Sequence, residues 1–161
     1  MKNLINLSTK IGAILKNNGD TVSVAETSAG GLLSASLLAV PGASAYFLGG
    51  GVIYTQESRR ILLNLHDTEM VGIRSSSEPY AKLLADTIQN KFGSNWGISE
   101  TGAAGPTGNR YGDNAGHTCI AVSGRFNEVI TLETESNERE KNMEAFALEA
   151  LKLFEKCLNK T

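Results

Sequence analysis

The chain has 161 residues, enough to bury a core of its own, and we predict one domain over residues 1–161. Hydrophobic residues make up 41% and charged residues 20%, which is typical of globular proteins, and the net charge of −2 provides no basic surface for nucleic acid. No apolar run has the length of a signal peptide or of a membrane span, so we expect a cytoplasmic protein without a membrane partner.

The two cysteines, Cys119 and Cys157, lie far apart in the sequence and form no CxxC motif. We therefore expect two free, buried thiols and neither a disulfide nor a metal pair. The sequence contains no HExxH motif, no Walker loop and no GxGxxG motif placed after a strand. On these grounds we predict no metal and no cofactor.

Helices and strands alternate in the first half of the chain. Apolar residues recur at helical spacing before Asn17-Asn18-Gly19, and a β-branched run follows. A run of three glycines, Gly49-Gly50-Gly51, then lies inside an apolar segment, where glycine indicates a bulge or a close backbone approach. The predicted elements are a helix over 3–17, a strand over 21–25, a helix over 32–40, a strand over 46–54 and a helix over 57–65.

In the second half of the chain, Ser77-Glu78-Pro79 predicts the start of a helix, because proline suits the first helical turn. The predicted elements are that helix to about residue 92, a strand over 96–100, a polar loop over 101–116, a hairpin of strands 117–122 and 128–133, and an amphipathic helix over 137–158. The order of elements predicts an α/β fold, a three-layer α/β/α sandwich. The late hairpin predicts a mixed sheet.

Three segments rich in glycine and hydroxyl groups follow predicted strands, namely 26–31, 54–59 and 101–116. In open α/β sheets ligands bind beyond the carboxyl ends of parallel strands, so we predict that these segments line one pocket. Their backbone N–H groups, together with an arginine, predict binding of phosphate or another anion. The candidate substrate-binding residues are Glu26, Gly30, Gly31, Thr101, Gly102, Gly105, Thr107 and Arg110.

Several of these candidates have a simpler structural interpretation. Gly30 and Gly31 are sufficient to make a tight turn, and Glu26 is placed to cap the helix that follows. Thr107 could equally cap its own loop. The loop over 101–116 is longer than most connections, and loops of this length are disproportionately functional.

Four motifs in order, "AETSAGG", "PGASAYFLGGGVIYT", "SSSEP" and "TGAAGPTG", resemble the CinA carboxy-terminal domain family along nearly the whole chain. The resemblance implies an α/β/α fold with a mixed sheet, a homo-oligomer and a pyridine nucleotide as ligand. Some members are nicotinamide-nucleotide amidases, which hydrolyse the carboxamide of nicotinamide mononucleotide to nicotinate mononucleotide and ammonia. The segment over 32–47 could supply an oligomer interface, although it is apolar enough to belong to the core.

Two positions depart from the motifs of active family members. The family shows Glu-Ser-x-Thr-Gly-Gly, and Thr27 stands in the place of its nucleophilic serine. The family also shows Tyr-Ser-Asn-Glu-x-Lys after the second strand; Tyr54 is kept and Arg59 replaces the lysine that accepts the proton. Arginine stays protonated in proteins and cannot be that base, and the threonine methyl group crowds an attack.

Three hypotheses for the function follow. The chain is a CinA-like amidohydrolase, either with Thr27 as nucleophile or with Ser28 in its place, or with Tyr54 and Glu26 moving the proton. Alternatively, it is a nucleotide-binding or phosphate-binding protein that has lost the amidase activity. The third hypothesis is a structural or protein-interaction domain. Because Arg59 leaves the Thr27 hydroxyl without a proton acceptor at neutral pH, we expect weak or absent hydrolysis of nicotinamide mononucleotide.

Overall fold

The computed structural model describes residues 1–160 and shows five helices around a five-stranded sheet. The helices are α1 (Lys2–Asn18), α2 (Leu32–Leu38), α3 (Gln56–Leu63), α4 (Glu78–Phe92) and α5 (Arg139–Leu158). The strands are β1 (Val22–Glu26), β2 (Phe47–Val52), β3 (Trp96–Ala103), β4 (His117–Ser123) and β5 (Glu128–Glu133). Every predicted helix and strand is present, with ends that differ by a few residues.

The sheet is mixed, as predicted, with strand order β2-β1-β3-β4-β5. Strand β1 lies between β2 and β3 and is parallel to both, whereas β4 and β5 add antiparallel strands at one edge. The carboxyl ends of β1, β2 and β3 therefore lie at the same side of the sheet. The segments that follow these three strands are those for which the sequence predicts a shared pocket.

Helices cover both faces of the sheet, which confirms the α/β fold. Helices α1, α2 and α5 pack against one another over one face, and α3 and α4 pack together over the other. The first layer closes over a core that includes Trp96, whose ring meets Phe154 edge-on at a centroid distance of 5.7 Å. The second layer buries Leu63, Tyr80 and Leu84.

Local sequence explains where the helices begin and end. Thr55 caps α3 through a reciprocal pair of bonds with Ser58, and the Ser77 hydroxyl caps α4. Helix α1 ends at Gly19, whose positive φ of 69° suits a residue without a side chain. Each of these signals can be read from the residue types alone.

Strand β3 is longer than predicted. Thr101, Gly102 and Ala103 continue the ladder against β4, so the connection to β4 begins at residue 104 and not at 101. Gly102 permits this close pairing, because a Cβ atom there would lie 2.3 Å from the carbonyl oxygen of His117. Residues 101–103 were not predicted as strand because a polar, glycine-containing segment is not typical of strands.

The remaining structural predictions concern buried segments. Cys119 and Cys157 are both free and buried, as predicted. Leu33, Leu37 and Tyr46 are buried in the core, so most of the apolar side chains over 32–47 are not available as an interface. Across residues 1–160, no helix combines the length and the hydropathy needed to cross a membrane.

Candidate functional site

The three predicted segments converge on a cleft made of two adjoining cavities. The first, the Thr27 cavity, has a volume of about 330 Å³ and is bordered by Thr27, Arg59 and Arg110. The second, the Ser28 cavity, has a volume of about 280 Å³ and is bordered by Ser28 and Arg139. The prediction that these segments line one pocket is therefore confirmed, in the form of a cleft with two parts.

Nine of the twelve predicted site residues border this cleft, and three do not. Those at the Thr27 cavity are Thr27, Tyr54, Arg59, Thr101, Gly102 and Arg110, and those at the Ser28 cavity are Ser28, Tyr54, Gly102, Gly105 and Thr107. Tyr54, Gly102 and Asn109 border both cavities and so form the wall between them. Glu26, Gly30 and Gly31 lie behind the cleft.

Glu26 builds the turn after β1 and does not face the cleft. Its buried carboxylate accepts hydrogen bonds from the N–H groups of Gly31 at 2.7 Å, Leu33 at 3.1 Å and Ser34 at 2.8 Å, and from the Ser34 hydroxyl at 2.7 Å. These are the free N–H groups at the start of α2. The helix-capping interpretation is therefore correct, and the placement of Glu26 against substrate or a moving proton is wrong.

Gly30 and Gly31 also stabilise the turn after β1, because their N–H groups bond to residues of that turn. The N–H of Gly30 donates to the carbonyl of Thr27 at 3.1 Å, and that of Gly31 is bound to Glu26. Both residues have positive φ angles, 67° and 101°, which favour glycine. The prediction that these N–H groups hold an anion is wrong because both are already occupied.

A second buried carboxylate belongs to Glu100, the residue of β3 that pairs with Glu26 at the end of β1. No motif in the sequence predicted a role for it. It is fully buried and accepts hydrogen bonds from the N–H groups of Thr27 at 3.1 Å and Ala29 at 2.8 Å, and from the Thr118 hydroxyl at 2.9 Å. The Ser28 hydroxyl is its fourth donor. Burial raises the pKa of Glu100, the bonds from Ser28, Ala29 and Thr118 oppose this, and the charge of Glu26 adds to it.

Thr27 and Arg59 border the same cavity, but Arg59 is engaged elsewhere. Its guanidinium is 3% exposed, and its Nε donates to the carbonyl of Leu65 at 3.3 Å, while Nη2 pairs with Asp67 Oδ1 at 3.0 Å. The Thr27 hydroxyl has no hydrogen-bond partner within residues 1–160. Thr27 therefore lacks a proton acceptor in this structure.

Tyr54 is tied to the far end of the cleft. Its phenol oxygen accepts a hydrogen bond from Arg139 Nη2 at 3.3 Å, and Nη1 of the same guanidinium donates to the carbonyl of Gly105. Arg139 lies in the first turn of α5, far from the other site residues in the sequence, which is why the motif spacing gave no signal for it. It brings a positive charge to the Ser28 cavity.

Three residues of the connection after β3 that border the Ser28 cavity have backbone N–H groups that are unpaired within residues 1–160. Within the described part of the chain, the N–H groups of Gly105, Thr107 and Gly108 donate to no protein acceptor. All three residues border this cavity together with Arg139. Unpaired N–H groups beside a guanidinium suit an anion or a developing oxyanion.

Asp113 holds the same connection in place. Its carboxylate accepts two bonds from Arg74, at 2.7 and 3.1 Å, and one from Asn109 Nδ2 at 2.8 Å. Burial acts to raise the pKa of Asp113, but the bonds from Arg74 and Asn109 outweigh it and the pKa is lowered. The Tyr111 ring lies against the guanidinium groups of Arg74, at 5.4 Å, and Arg110, at 5.1 Å. These contacts close one side of the Thr27 cavity.

His117 lies next to the contacts that Asp113 makes with Arg74 and Asn109. Its Nε2 lies 2.8 Å from the carbonyl oxygen of Ser76 and 3.7 Å from Asp113, and its Nδ1 is bonded to Glu133. Burial opposes the charged imidazolium, but the bonds with Glu133 and Ser76 and the charge of Asp113 raise the pKa of His117. Both hydrogen-bond partners are acceptors, which suits a ring with two N–H groups.

The model of the CinA C-terminal domain family matches residues 4–158. This chain belongs to that family. A CinA-like protein of Trichodesmium erythraeum is 35% identical over 124 residues, which cover 77% of this chain and 29% of that protein. A CinA-like protein of Gloeothece citriformis is 42% identical over 102 residues, or 63% of this chain and 24% of that protein. The aligned region is thus less than a third of these CinA-like relatives.

Solved CinA structures have the same fold. A competence or damage-inducible protein from Enterobacter asburiae superposes with a TM-score of 0.90 at 24% identity, covering 97% of this chain and 98% of that one. A competence/damage inducible protein from Agrobacterium tumefaciens gives a TM-score of 0.87 at 25% identity, covering 98% and 96%. The cleft described above therefore lies in a domain with the CinA fold.

Proposed function

We propose that this CinA domain binds a pyridine mononucleotide, with its phosphate in the Thr27 cavity, and that Thr27 is not a working nucleophile. The observation that carries the proposal is the buried Arg59 side chain, which borders the same cavity as Thr27. A serine–lysine amidase needs a neutral amine there to take the hydroxyl proton. A guanidinium is always charged and offers only donors, so it cannot perform that step.

The same replacement makes the Thr27 cavity suitable for an anion. Arg59 and Arg110 both border it, and none of its described lining residues is acidic. The ion pair between Arg59 and Asp67 is formed by a carboxylate that is 79% exposed, so solvent screens much of the opposing charge. Charge-assisted bonds from arginine to phosphate are stronger than neutral ones. In Arg59, Nε and Nη2 are already bonded to the Leu65 carbonyl and to Asp67, which leaves Nη1 as the donor for the phosphate.

Hydroxyl groups complete the donor set. The Thr27 hydroxyl is unpaired, and the Thr101 hydroxyl accepts a bond from the Ser76 N–H at 3.3 Å while keeping its own hydrogen free. Both residues border the Thr27 cavity. In this proposal Thr27 donates a hydrogen bond to the phosphate instead of attacking a carbonyl. The combined cleft has the volume of an ordinary small-molecule site.

Titration calorimetry with nicotinamide mononucleotide tests the proposal. We expect binding by the natural sequence and about tenfold or greater weakening in Arg59→Gln, which removes the charge. Arg60→Gln is the matched control, because Arg60 is the next residue of α3, pairs with Glu57 and does not border the cleft. No binding by the natural sequence, or equal effects of the two variants, would contradict the proposal.

A further inference from the structure

We infer that Ser28 and Glu100 form a nucleophile–base pair that accepts small carboxamides or esters in the Ser28 cavity. Ser28 borders this cavity, and its hydroxyl donates a hydrogen bond to the buried carboxylate of Glu100. A hydroxyl bonded to a basic group, with the base fixed by further contacts, is the arrangement that activates a nucleophile. This pair uses neither Thr27 nor Arg59.

Glu100 is held as a proton acceptor by its surroundings. The N–H groups of Thr27 and Ala29 fix one carboxylate oxygen, and the hydroxyls of Ser28 and Thr118 meet the other. All four partners donate, and a carboxylate can accept about four such bonds. Burial also makes this carboxylate more basic than an exposed one. A glutamate of raised basicity that is oriented by four donors suits a general base.

The two neighbouring hydroxyls of the turn therefore differ in their chemistry. Thr27 offers Glu100 only its backbone N–H, and it borders a cavity that Arg59 also borders. Ser28 offers Glu100 its hydroxyl. Only Ser28 thus has a group that can take its proton as it attacks.

The Ser28 cavity also contains donors for the charge that develops on a carbonyl oxygen. The unpaired N–H groups of Gly105, Thr107 and Gly108 border it, and the Arg139 guanidinium adds a positive charge. Arg139 is held by Tyr54 and by the Gly105 carbonyl, which limits its motion. Fixed donors of this kind stabilise an oxyanion, and the loss of one typically costs about 10²–10³ in rate.

The chemistry balances with water as the second reactant. The Ser28 proton passes to Glu100, and Ser28 Oγ bonds to the carbonyl carbon. The bond to the leaving group breaks, and Glu100 returns the proton to the departing amine or alcohol, which leaves an acyl group on Ser28. Water then gives a proton to Glu100 and attacks the acyl carbon, and Ser28 leaves with that proton as the free acid forms.

Acylation by p-nitrophenyl acetate, a small ester without phosphate, tests this pair apart from nucleotide binding. Nitrophenolate release is followed in the natural sequence, and the acetylated residue is located by fragmentation of the peptide that contains Thr27 and Ser28. We expect acetyl at Ser28, no such label in Ser28→Ala, and a rate lower by about 10²–10⁴ in Glu100→Gln. Ser36→Ala is the control, because Ser36 is buried on the next helix and bonds only to the Leu33 carbonyl.

Folding of each variant is checked by its melting temperature, and Glu100→Asp provides a second test that retains a carboxylate. We expect partial activity in Glu100→Asp, since the shorter side chain withdraws the oxygen from Ser28. Label on Thr27, no label on either residue, or an unchanged rate in Glu100→Gln would overturn the assignment. Calorimetry with nicotinamide mononucleotide on the same samples separates a failure of this pair from a failure of the binding proposal.

Discussion

Glu26, at the end of β1, and Glu100, within β3, are register partners on neighbouring parallel strands, and both side chains are fully buried. Each accepts hydrogen bonds from a different half of the turn that follows β1. Glu100 binds the N–H groups of Thr27 and Ala29, and Glu26 binds those at the start of α2. Two buried carboxyl groups thus fix the turn that carries Thr27 and Ser28 to the cleft.

Removing the charge of Glu26 should destabilise the fold. Glu26→Gln puts an amide NH₂ group next to N–H groups that need an acceptor, and an unsatisfied buried donor costs about 1–3 kcal/mol. We expect a lower free energy of unfolding, measured by urea denaturation. Glu57→Gln is the control, since Glu57 is exposed on α3 and forms only a surface pair with Arg60. A Glu26→Gln variant as stable as the control would contradict this interpretation of the turn.

Restoring the family's serine and lysine together should raise activity more than the two single changes combined. Thr27→Ser removes the crowding methyl group, and Arg59→Lys supplies a residue that can lose its proton. We expect ammonia release from nicotinamide mononucleotide to rise more in the double variant than in the two single variants combined. The background is measured in Thr27→Ala. Fast turnover by the natural sequence that depends on Thr27 would show that Arg59 does not prevent the reaction.

Breaking the ion pair between Asp113 and Arg74 should weaken ligand binding. Asp113→Asn loses the charge-assisted pair with Arg74, so the segment that carries Arg110 and Tyr111 is held less firmly. We expect faster amide hydrogen exchange over residues 109–116 and an affinity for nicotinamide mononucleotide reduced by about three- to tenfold. Asp86→Asn is a control on the far side of α4, where Asp86 accepts a bond from Ser123.

Stability should depend on pH through His117. The groups that face its ring are the carboxylates of Glu133 and Asp113, the Ser76 carbonyl and the Cys119 thiol, and Arg74 pairs with Asp113. Because the folded pKa lies above the unfolded value, the contribution of the imidazolium is complete below the unfolded pKa. It is lost as the pH rises through the folded pKa.

His117→Asn isolates this effect. We expect the difference in free energy of unfolding between the natural sequence and the variant to be largest near pH 5 and to shrink towards about pH 9. The His117 ring signals in an NMR titration should report the same raised pKa. A difference that grows as the pH rises would reverse the sign and contradict the assignment of an imidazolium.

The sequence was sufficient for the fold because its signals are local. Helix caps at Thr55 and Ser77 and the stop at Gly19 are determined by neighbouring residues. The end of β3 was not predictable in this way, because Thr101 and Gly102 become strand only by pairing with β4. A polar, glycine-rich segment gives no local sign of such pairing.

The site was predictable where polar segments follow parallel strands, which indicated Arg110, and where the family motifs extend. They placed Thr27, Tyr54 and Arg59 at one cleft. They gave no indication of Glu100 or Arg139, which reach the cleft through the strand register and through the start of α5. Glu26 was misplaced because a carboxylate in a turn is compatible with either capping or ligand binding, and its hydrogen-bond partners decide between them.

An NMR titration of the ¹⁵N-labelled natural sequence with nicotinamide mononucleotide tests the central claim most directly. We predict saturable shifts of the amide signals of Thr27 and of residues 54–56, 59, 101–102 and 109–111, which border the Thr27 cavity, with smaller changes on the far side of the sheet. We also predict that Arg59→Gln weakens these shifts while Arg60→Gln retains them. If roughly millimolar nucleotide leaves these signals unmoved, or moves only signals remote from the cleft, the proposed binding site is wrong.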